Sequence, residues 1–560
     1  MRAVIRCGMP RVALIAASCS LCASIAAQSA PNPGVVQREQ APRLTPPVGQ
    51  ELRLRLPAEE DRTAESAPVL QLEGVRLLGN KVIPVSEIQP LIDPLLGRKV
   101  SYAELRKVAA DIEALYRRRG YLLCRAILPE QDVKDGVVAL VVVEGFVGES
   151  EVGPASVPKG LSGRLEAYVG PVLAQRPLRA DLIERQLLLA EDISGISLES
   201  VLSKGTVLGS SRLTVTAETR VAEYTIGADN NLQRSLGEGR AFLDVRLNEF
   251  ERSVRQWYFS GSAAMPEPEG LIYFAAGLRQ PVGDDGWTLT LGASRADTLT
   301  EPSDIGGGNT GRVDGSSSSV TFAAVYPLVR SRVFSVFASV SLELQDSSSE
   351  LDSSAGVSTL ISRDELRLLR LRAEAVHAAP GSSTVASLQV TSSLAGTVQG
   401  PASNPSAPAD FRHVRASVVD RRLMPAELLL TSRAEAGWSS DSLPVPEQFA
   451  VGGATLVRSF RAASAYGDRG LGAGLDLASG PKAYGVSPFF FVDYAVTQSD
   501  LTGLYQRFGS YGVGFRREAS AAGVPLTFEF GAALPWRNDQ TPSATGGSHV
   551  NYFASLQTRF

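Results

Sequence analysis

Val457-Arg458-Ser459-Phe460 and Phe491-Val492-Asp493-Tyr494-Ala495 both lie in the stretch from Pro446 to Ala495, which interrupts a regular pattern of alternating residues. The part around the first motif is too rich in glycine and charge to be a single strand. We therefore predict a long loop that carries a cation, Arg458, followed by strands, one of which carries an anion, Asp493. If the surrounding strands form a barrel, the loop is expected to lie inside it.

The N-terminal residues predict export. Arg2, Arg6 and Arg11 precede an apolar run from Val12 to Ala27. The run is too short, and too rich in alanine and serine, for a membrane-spanning helix, which favours a signal peptide over residues 1–27. An uncleaved anchor and a lipoprotein signal at Cys19 are the alternatives.

The cysteines and histidines predict neither a disulfide nor a metal site. Cys7, Cys19 and Cys22 leave with the signal, so that Cys124 alone remains in the mature chain. The three histidines, which are His377, His413 and His549, are far apart and have no metal-ligand spacing. The formal net charge of -4 does not indicate a basic surface for binding nucleic acid. No cofactor is predicted.

Residues 28–67 read as a proline-rich, charged linker. Val35–Gln40 and Glu51–Arg55 are two candidates for a short helix within it, although neither is long enough to be stable alone. Beyond the signal, no run of apolar residues is long enough to predict a transmembrane helix.

Two successive α+β units follow the linker. In residues 68–147, Val69–Leu77 reads as a strand, and Ser101 begins a helix with Glu104 as its capping-box partner. Two more strands complete a β-α-α-β-β order, and residues 148–219 repeat that order.

The character of the chain changes at residue 220. Segments alternate with period two up to residue 560, which favours a transmembrane β-barrel of sixteen strands over a soluble sandwich or propeller. In the last segment, Tyr552, Leu556 and Phe560 share one face, as expected of a lipid-facing strand. The tryptophans either belong to aromatic girdles at the membrane surfaces or pack within the barrel. They are Trp257, Trp287, Trp438 and Trp536.

Catalytic motifs are not evident. The chain has no Gly-rich loop ending in Lys-Ser/Thr and no Gly-x-Ser-x-Gly elbow with a plausible histidine partner. No pattern of paired carboxylates stands out. The sequence therefore does not predict an enzyme.

Several local patterns resemble the two-partner secretion transporters (TpsB), the haemolysin-activator and haemagglutinin-transporter family, in the superfamily that includes the insertase BamA. The resemblance implies that the two α+β units are polypeptide-transport-associated (POTRA) domains. The motifs that carry it outside the loop are Gly79-Asn80, Tyr116–Tyr121, Arg185–Gly195, Asp229-Asn230 and Tyr326–Arg332.

The loop motifs are the most specific part of the resemblance. Val457-Arg458-Ser459-Phe460 is similar to the family's Val-Arg-Gly-Phe/Tyr loop tip, and Phe491–Ala495 is similar to its Phe-x-Asp-x-Gly strand motif. The resemblance implies that a loop over residues 446–470 folds into the barrel and that Arg458 meets Asp493. Ser459 and Ala495 each replace a glycine, so a Cβ is added where the backbone is expected to be tight or at positive φ. Two unpaired lumen charges are the alternative.

The resemblance also implies a function. The chain would be an outer-membrane pore, with its N-terminal domains in the periplasm, that secretes a large β-rich exoprotein of the TpsA type without ATP. Its POTRA domains would bind the exoprotein by pairing with an extended segment. The alternatives are an insertase of the BamA type and a passive porin. The expected partners are this exoprotein and outer-membrane lipid, and the 28–67 segment is expected to hold a short plug helix.

Overall fold

The computed structural model describes residues 31–41, 54–55, 68–133, 135–153, 157–300, 303–306, 309–354, 356–394, 401–480, 485–521, 523–539 and 550–560. The signal peptide predicted over residues 1–27 lies outside the described residues, as does most of the linker. In the part of the chain that is described, none of the helices combines the length and the apolar character needed to cross a membrane.

Among the residues that the structure describes, five helices and nine short strands precede the barrel. The helices are α1 Pro33–Gln40, α2 Val85–Ile92, α3 Tyr102–Arg118, α4 Lys159–Ala174 and α5 Ala180–Glu191. The strands are β1 Leu54–Arg55, β2 Pro68–Gln71, β3 Gly74–Leu78, β4 Lys99–Ser101, β5 Arg125–Ile127, β6 Val137–Val143, β7 Phe146–Gly153, β8 Ile196–Lys204 and β9 Ser210–Thr219.

The first α+β domain packs α2 and α3 on a sheet of order β3-β6-β5. The predicted single strand at Val69–Leu77 is divided into β2 and β3, because Glu73 turns away to donate its backbone N–H to Gly136 (2.8 Å). Ser101 caps α3 in a complete capping box, and its hydrogen bonds hold the pKa of the Glu104 carboxyl below its usual value. Burial in this core raises the pKa of the Cys124 thiol to about 11.

The second α+β domain packs α4 and α5 on a sheet of order β1-β8-β9-β7. The edge strand β1 comes from the linker and pairs in parallel with Ser200 and Val201 of β8. Of the helix considered at Glu51–Arg55, the structure describes Leu54 and Arg55, and these form a strand. An extended segment therefore already occupies this sheet edge.

Residues 222–559 form a closed antiparallel barrel of sixteen wall strands, which confirms the predicted fold. The wall strands are β10 Ala222–Asp229, β11 Gly239–Glu249, β12 Arg255–Met265, β13 Leu271–Val282, β14 Trp287–Leu299, β16 Asn309–Arg330, β17 Phe334–Ser353, β18 Ser358–Ala379, β19 Ser382–Ser393, β20 Arg412–Met424, β21 Leu428–Ser439, β24 Arg469–Ser479, β25 Val486–Gln498, β26 Tyr505–Ala521, β27 Val524–Asn538 and β28 Asn551–Arg559. The short strand β15, Ser303–Gly306, extends one hairpin at the rim, and β22 Phe449–Val451 and β23 Ala465–Gly467 lie in the long loop.

The outer face of the barrel is apolar. Tyr552, Leu556 and Phe560 of the last strand are exposed on it, whereas Phe553 points inward and is buried. Trp257 and Trp287 lie near the rim that carries the two α+β domains, and Trp438 and Trp536 near the opposite rim. All four side chains are exposed, an arrangement typical of the aromatic belts at the two surfaces of a membrane.

Candidate functional site

The loop between β21 and β24 folds into the barrel. Its short hairpin, β22 with β23, packs in a buried cluster with Leu456, Val457 and Phe460 and with Ala495 and Phe508 of the wall. On β24 the facing positions include Gly470 and Gly472, and a Cβ at either would lie 2.1 Å from Phe449 or Leu456. The loop thus fills space that the wall leaves empty.

Arg458 and Asp493 meet at the tip of the loop. The Arg458 guanidinium donates from Nε to Asp493 Oδ2 and from Nη2 to Oδ1, both at 3.0 Å, and its centre lies 3.6 Å from the centroid of the Phe491 ring. The side chains are 4% and 0% exposed. This is the two-bond arrangement that a planar guanidinium makes with a carboxylate.

A second carboxylate, Asp476, contacts Arg458 and was not predicted from the sequence. Arg458 also donates to Asp476 of β24, and Asp476 in turn pairs with Arg433 of β21, whose Nη1 reaches the backbone oxygen of Thr455 at 2.7 Å. A signal was present, because Asp476 is the charged residue on a strand face whose other members are three glycines and an alanine. The site is therefore a cluster of two cations and two anions.

The two departures from the family pattern have different surroundings. The left-handed position of the loop tip is Val457, at a φ of 55°, and not Ser459, because the turn is closed by Phe460 N–H donating to Val457 O (2.9 Å). The Ser459 hydroxyl is buried and has no hydrogen-bond partner among the described residues. Ala495 is fully buried in the cluster around the loop tip.

Helix α1 lies inside the barrel. Asn32 caps it by accepting from the N–H of Gly34 (3.0 Å). The buried Gln37 donates to Ser294 Oγ (2.8 Å) and accepts from Ser317 Oγ (2.6 Å), both on the wall. Val36 packs against an apolar cluster of the wall and of the first hairpin loop. An isolated helix of this length would be only marginally stable, so these contacts with the barrel wall stabilise it.

The helix is also tied to the root of the inserted loop. Arg38 donates to the backbone oxygens of Pro446 and Gln448. Glu447 lies between these two residues in the chain and is buried. Its carboxylate accepts two hydrogen bonds of 2.9 Å from Arg370 and lies 2.7 Å from His413 Nε2. A cavity of about 330 Å³ lies beside the helix. The helix and the loop together occupy the lumen.

The second α+β domain is docked on the barrel rim. Arg330, at the end of β16, donates to both oxygens of Asp192, just after α5, at 2.7 and 2.9 Å. Arg330 is buried, and the neighbouring Arg332 donates its backbone N–H to Glu184 (2.7 Å). Two segments that the sequence analysis singled out, Arg185–Gly195 and Tyr326–Arg332, therefore contact each other.

Replacing Arg330 with alanine is expected to loosen this domain from the barrel. The change leaves the Asp192 carboxylate without its two charge-assisted bonds, at a cost of about 3 kcal/mol for a buried pair. A distance measured between spin labels on the domain and on the barrel should broaden. Arg332→Ala, which removes an exposed ion pair of 3.7 Å with Glu184 across the same interface, is the control and should change the distance distribution far less, because exposed pairs contribute little. A distribution unchanged in Arg330→Ala would contradict the prediction.

Comparisons with known proteins agree with this architecture. Residues 70–145 match the ShlB-type POTRA domain, and residues 209–517 match the haemolysin secretion/activation protein family ShlB/FhaC/HecB. The second match covers more than half of the chain.

Individual relatives match over a shorter span. The heme/hemopexin transporter protein HuxB of Haemophilus influenzae is 26% identical over 43% of this chain and 44% of its own length. The outer membrane transporter CdiB of Escherichia coli O6:K15:H31 is 27% identical over 40% of this chain and 38% of its own length. The matched region thus spans less than half of these relatives.

Solved structures share the fold. CdiB from Escherichia coli superposes with a TM-score of 0.70 at 20% identity, over 90% of this chain and 93% of that one. CdiB from Acinetobacter baumannii has a TM-score of 0.60 at 13% identity, over 99% of this chain and 100% of that one.

The chain therefore belongs to the ShlB/FhaC/HecB family of haemolysin secretion/activation proteins, with its barrel in the outer membrane and its two small domains in the periplasm.

Proposed function

We propose that this protein is a pore that secretes one large β-rich exoprotein across the outer membrane without ATP. The observation that carries the proposal is the filling of the lumen. A closed barrel of sixteen strands encloses α1 and the inserted loop, and both contact the wall through polar and apolar side chains rather than as paired strands of the barrel. Displacing them breaks no strand pair of the wall.

The periplasmic domains supply a way to hold the exoprotein. An exposed sheet edge binds an extended segment through backbone hydrogen bonds, which tolerate many sequences. Strand β8, which would be the sheet edge without the linker, already pairs with Leu54 and Arg55 of the linker. This pairing supports strand addition as the mode of capture.

Folding of the exoprotein outside the cell would make the passage one-way. A β-rich chain that folds after it leaves the pore gains the free energy that drives its export, and this accounts for transport without a nucleotide. The chain contributes binding and a path in this proposal, and no catalytic step is assigned to it. The relatives named as transporters agree with this assignment.

Deletion of the gene, followed by comparison of the culture medium and the outer membrane by quantitative proteomics, tests the proposal. We expect one very large protein to disappear from the medium while the other barrels of the outer membrane keep their amounts, and the intact gene supplied in trans should restore it. A general loss of barrels would favour an insertase. No change in either fraction would favour a passive porin.

A further inference from the structure

The barrel closes where its first and last strands meet, and this seam is short. Strands β10 and β28 pair over five residues, from Thr225 opposite Arg559 to Asp229 opposite Ser555. Every other pair of neighbouring wall strands shares at least eight. The seam is therefore the part of the wall with the fewest backbone pairs.

Backbone hydrogen bonds join one further residue at each end of the seam, where Tyr224 pairs with Phe560 and the Asn230 N–H donates to Ala554 O (3.2 Å), and a side chain continues the seam from there. Asn230 follows β10, and its Nδ2 donates to Tyr552 O at 2.9 Å, while its Oδ1 accepts from Ala554 N–H at 2.8 Å. If β10 were longer, its next residues would form hydrogen bonds with these two backbone groups of β28, the Tyr552 carbonyl and the Ala554 N–H. A carboxamide carries the same donor and acceptor as a peptide group, so it can replace one.

The inserted loop touches both sides of this seam from the lumen. Asn551 of β28 donates from Nδ2 to Arg458 O at 2.8 Å. On the other side, the loop's Ala462 N–H reaches Asn231 O at 3.4 Å, and Arg461 Nη1 reaches Glu238 O at 3.3 Å. One rigid segment, Arg458 to Ala462, therefore bridges the first hairpin loop and the last strand.

We propose that Asn230 is a latch of the barrel seam and that the tip of the inserted loop clasps the same seam from inside. A sheet edge that faces lipid leaves polar groups unsatisfied, which is why barrels close. Asn230 covers two such groups, and the loop tip holds the strands in reach of each other. Displacement of the loop thereby weakens the wall at the seam. This role does not depend on what the pore transports.

A disulfide across the seam makes the proposal testable. Ala228 and Leu556 are directly opposite in register, at a spacing that suits a disulfide. Ala276 and Ala293, opposite each other on β13 and β14, give a control pair away from the seam. Each pair is replaced by cysteines in a Cys124→Ala background, and barrel unfolding is followed by heat-modifiable gel mobility with and without reductant.

Under reducing conditions, Asn230→Ala and Asn551→Ala are each expected to lower the unfolding midpoint by about 2–4 °C. Asn230→Asp, which keeps the acceptor and loses the donor, should have a smaller effect. The oxidised seam disulfide should remove the difference between variant and parent, whereas the oxidised control disulfide should leave it. Gln557→Ala is a matched control on β28, because the structure records no side-chain hydrogen bond of Gln557 within the residues it describes.

The opposite results would overturn the proposal. An Asn230→Ala barrel that unfolds at the parent's midpoint would show that the latch adds nothing. A difference that survives seam oxidation, or that the control disulfide removes equally, would place the effect elsewhere in the barrel. If reduced Asn230→Ala does not assemble, recovery of the folded barrel by the seam pair alone supports the proposal, and failure with both pairs overturns it.

Discussion

Arg458→Ala should destabilise the barrel and increase its conductance, because it removes the cation that joins the loop tip to two strands. Asp493, whose side chain is fully buried, would keep the Ser510 hydroxyl (3.2 Å) as its one side-chain partner among the described residues. Leaving a buried carboxylate without its cation costs about 3–5 kcal/mol. The loop tip would be released from the wall, and planar-bilayer recordings should show larger or more frequent openings.

A double-mutant cycle separates pairing from two independent charges. Arg458→Ala, Asp493→Ala and the double variant are compared for unfolding midpoint and conductance. We expect the double variant to lose clearly less than the sum of the single losses, since the second change removes a partner that is already lost. Additive losses would mean that the two residues act separately.

Arg458→Lys is the matched control for charge. Lysine keeps the cation but lacks the planar fork that reaches both oxygens of Asp493 and the Phe491 ring together. Its losses should fall between those of the parent and Arg458→Ala. A lysine variant with the parent's stability and conductance would show that charge alone is sufficient at this position.

Removal of α1, residues Pro33–Gln40, is the second change with a large expected effect. A helix with its side chains is about 10 Å across, so its departure leaves an open path beside the 330 Å³ cavity. Conductance is expected to rise several-fold, while the inserted loop still narrows the pore.

The control for this deletion keeps the chain length. Replacing Pro33–Gln40 with eight glycine and serine residues removes the helix, its Gln37 and its Arg38 without shortening the linker. If the helix is the obstruction, deletion and replacement should conduct alike. Conductance at the parent's level in both variants would show that α1 does not block the pore.

The sequence predicted the architecture better than the interior of the barrel. Alternation indicates a barrel because the apolar residues of each strand, such as Tyr552, Leu556 and Phe560 of the last segment, show which face is in contact with lipid. The Arg458–Asp493 contact followed from motif context. Asp476 was missed because a face of small residues gives no polar signal for the lumen, and the sequence does not show that the preceding loop folds back onto that face.

Two other features depend on contacts that local patterns do not encode. Val35–Gln40 was one of two candidates for a short helix, and local propensity could not choose between them, because the wall residues Ser294 and Ser317 hold α1. Of the two expectations for Ser459, a tight backbone or a positive φ, the structure excludes the positive φ, because the turn is closed at Val457. Its position depends on how the buried apolar side chains of the loop tip pack.

The seam also constrains the order of assembly. Its partners are far apart in sequence, with 324 positions between Asn230 and Ala554, so closing the ring carries the largest chain-entropy cost of any pairing in the wall. The inserted loop lies between strands that are close in sequence, and its tip contacts the last strand and the hairpin loop that follows the first strand. It follows that the ring closes around the loop, and that the loop acts as an internal template against which the last strand is placed beside the first.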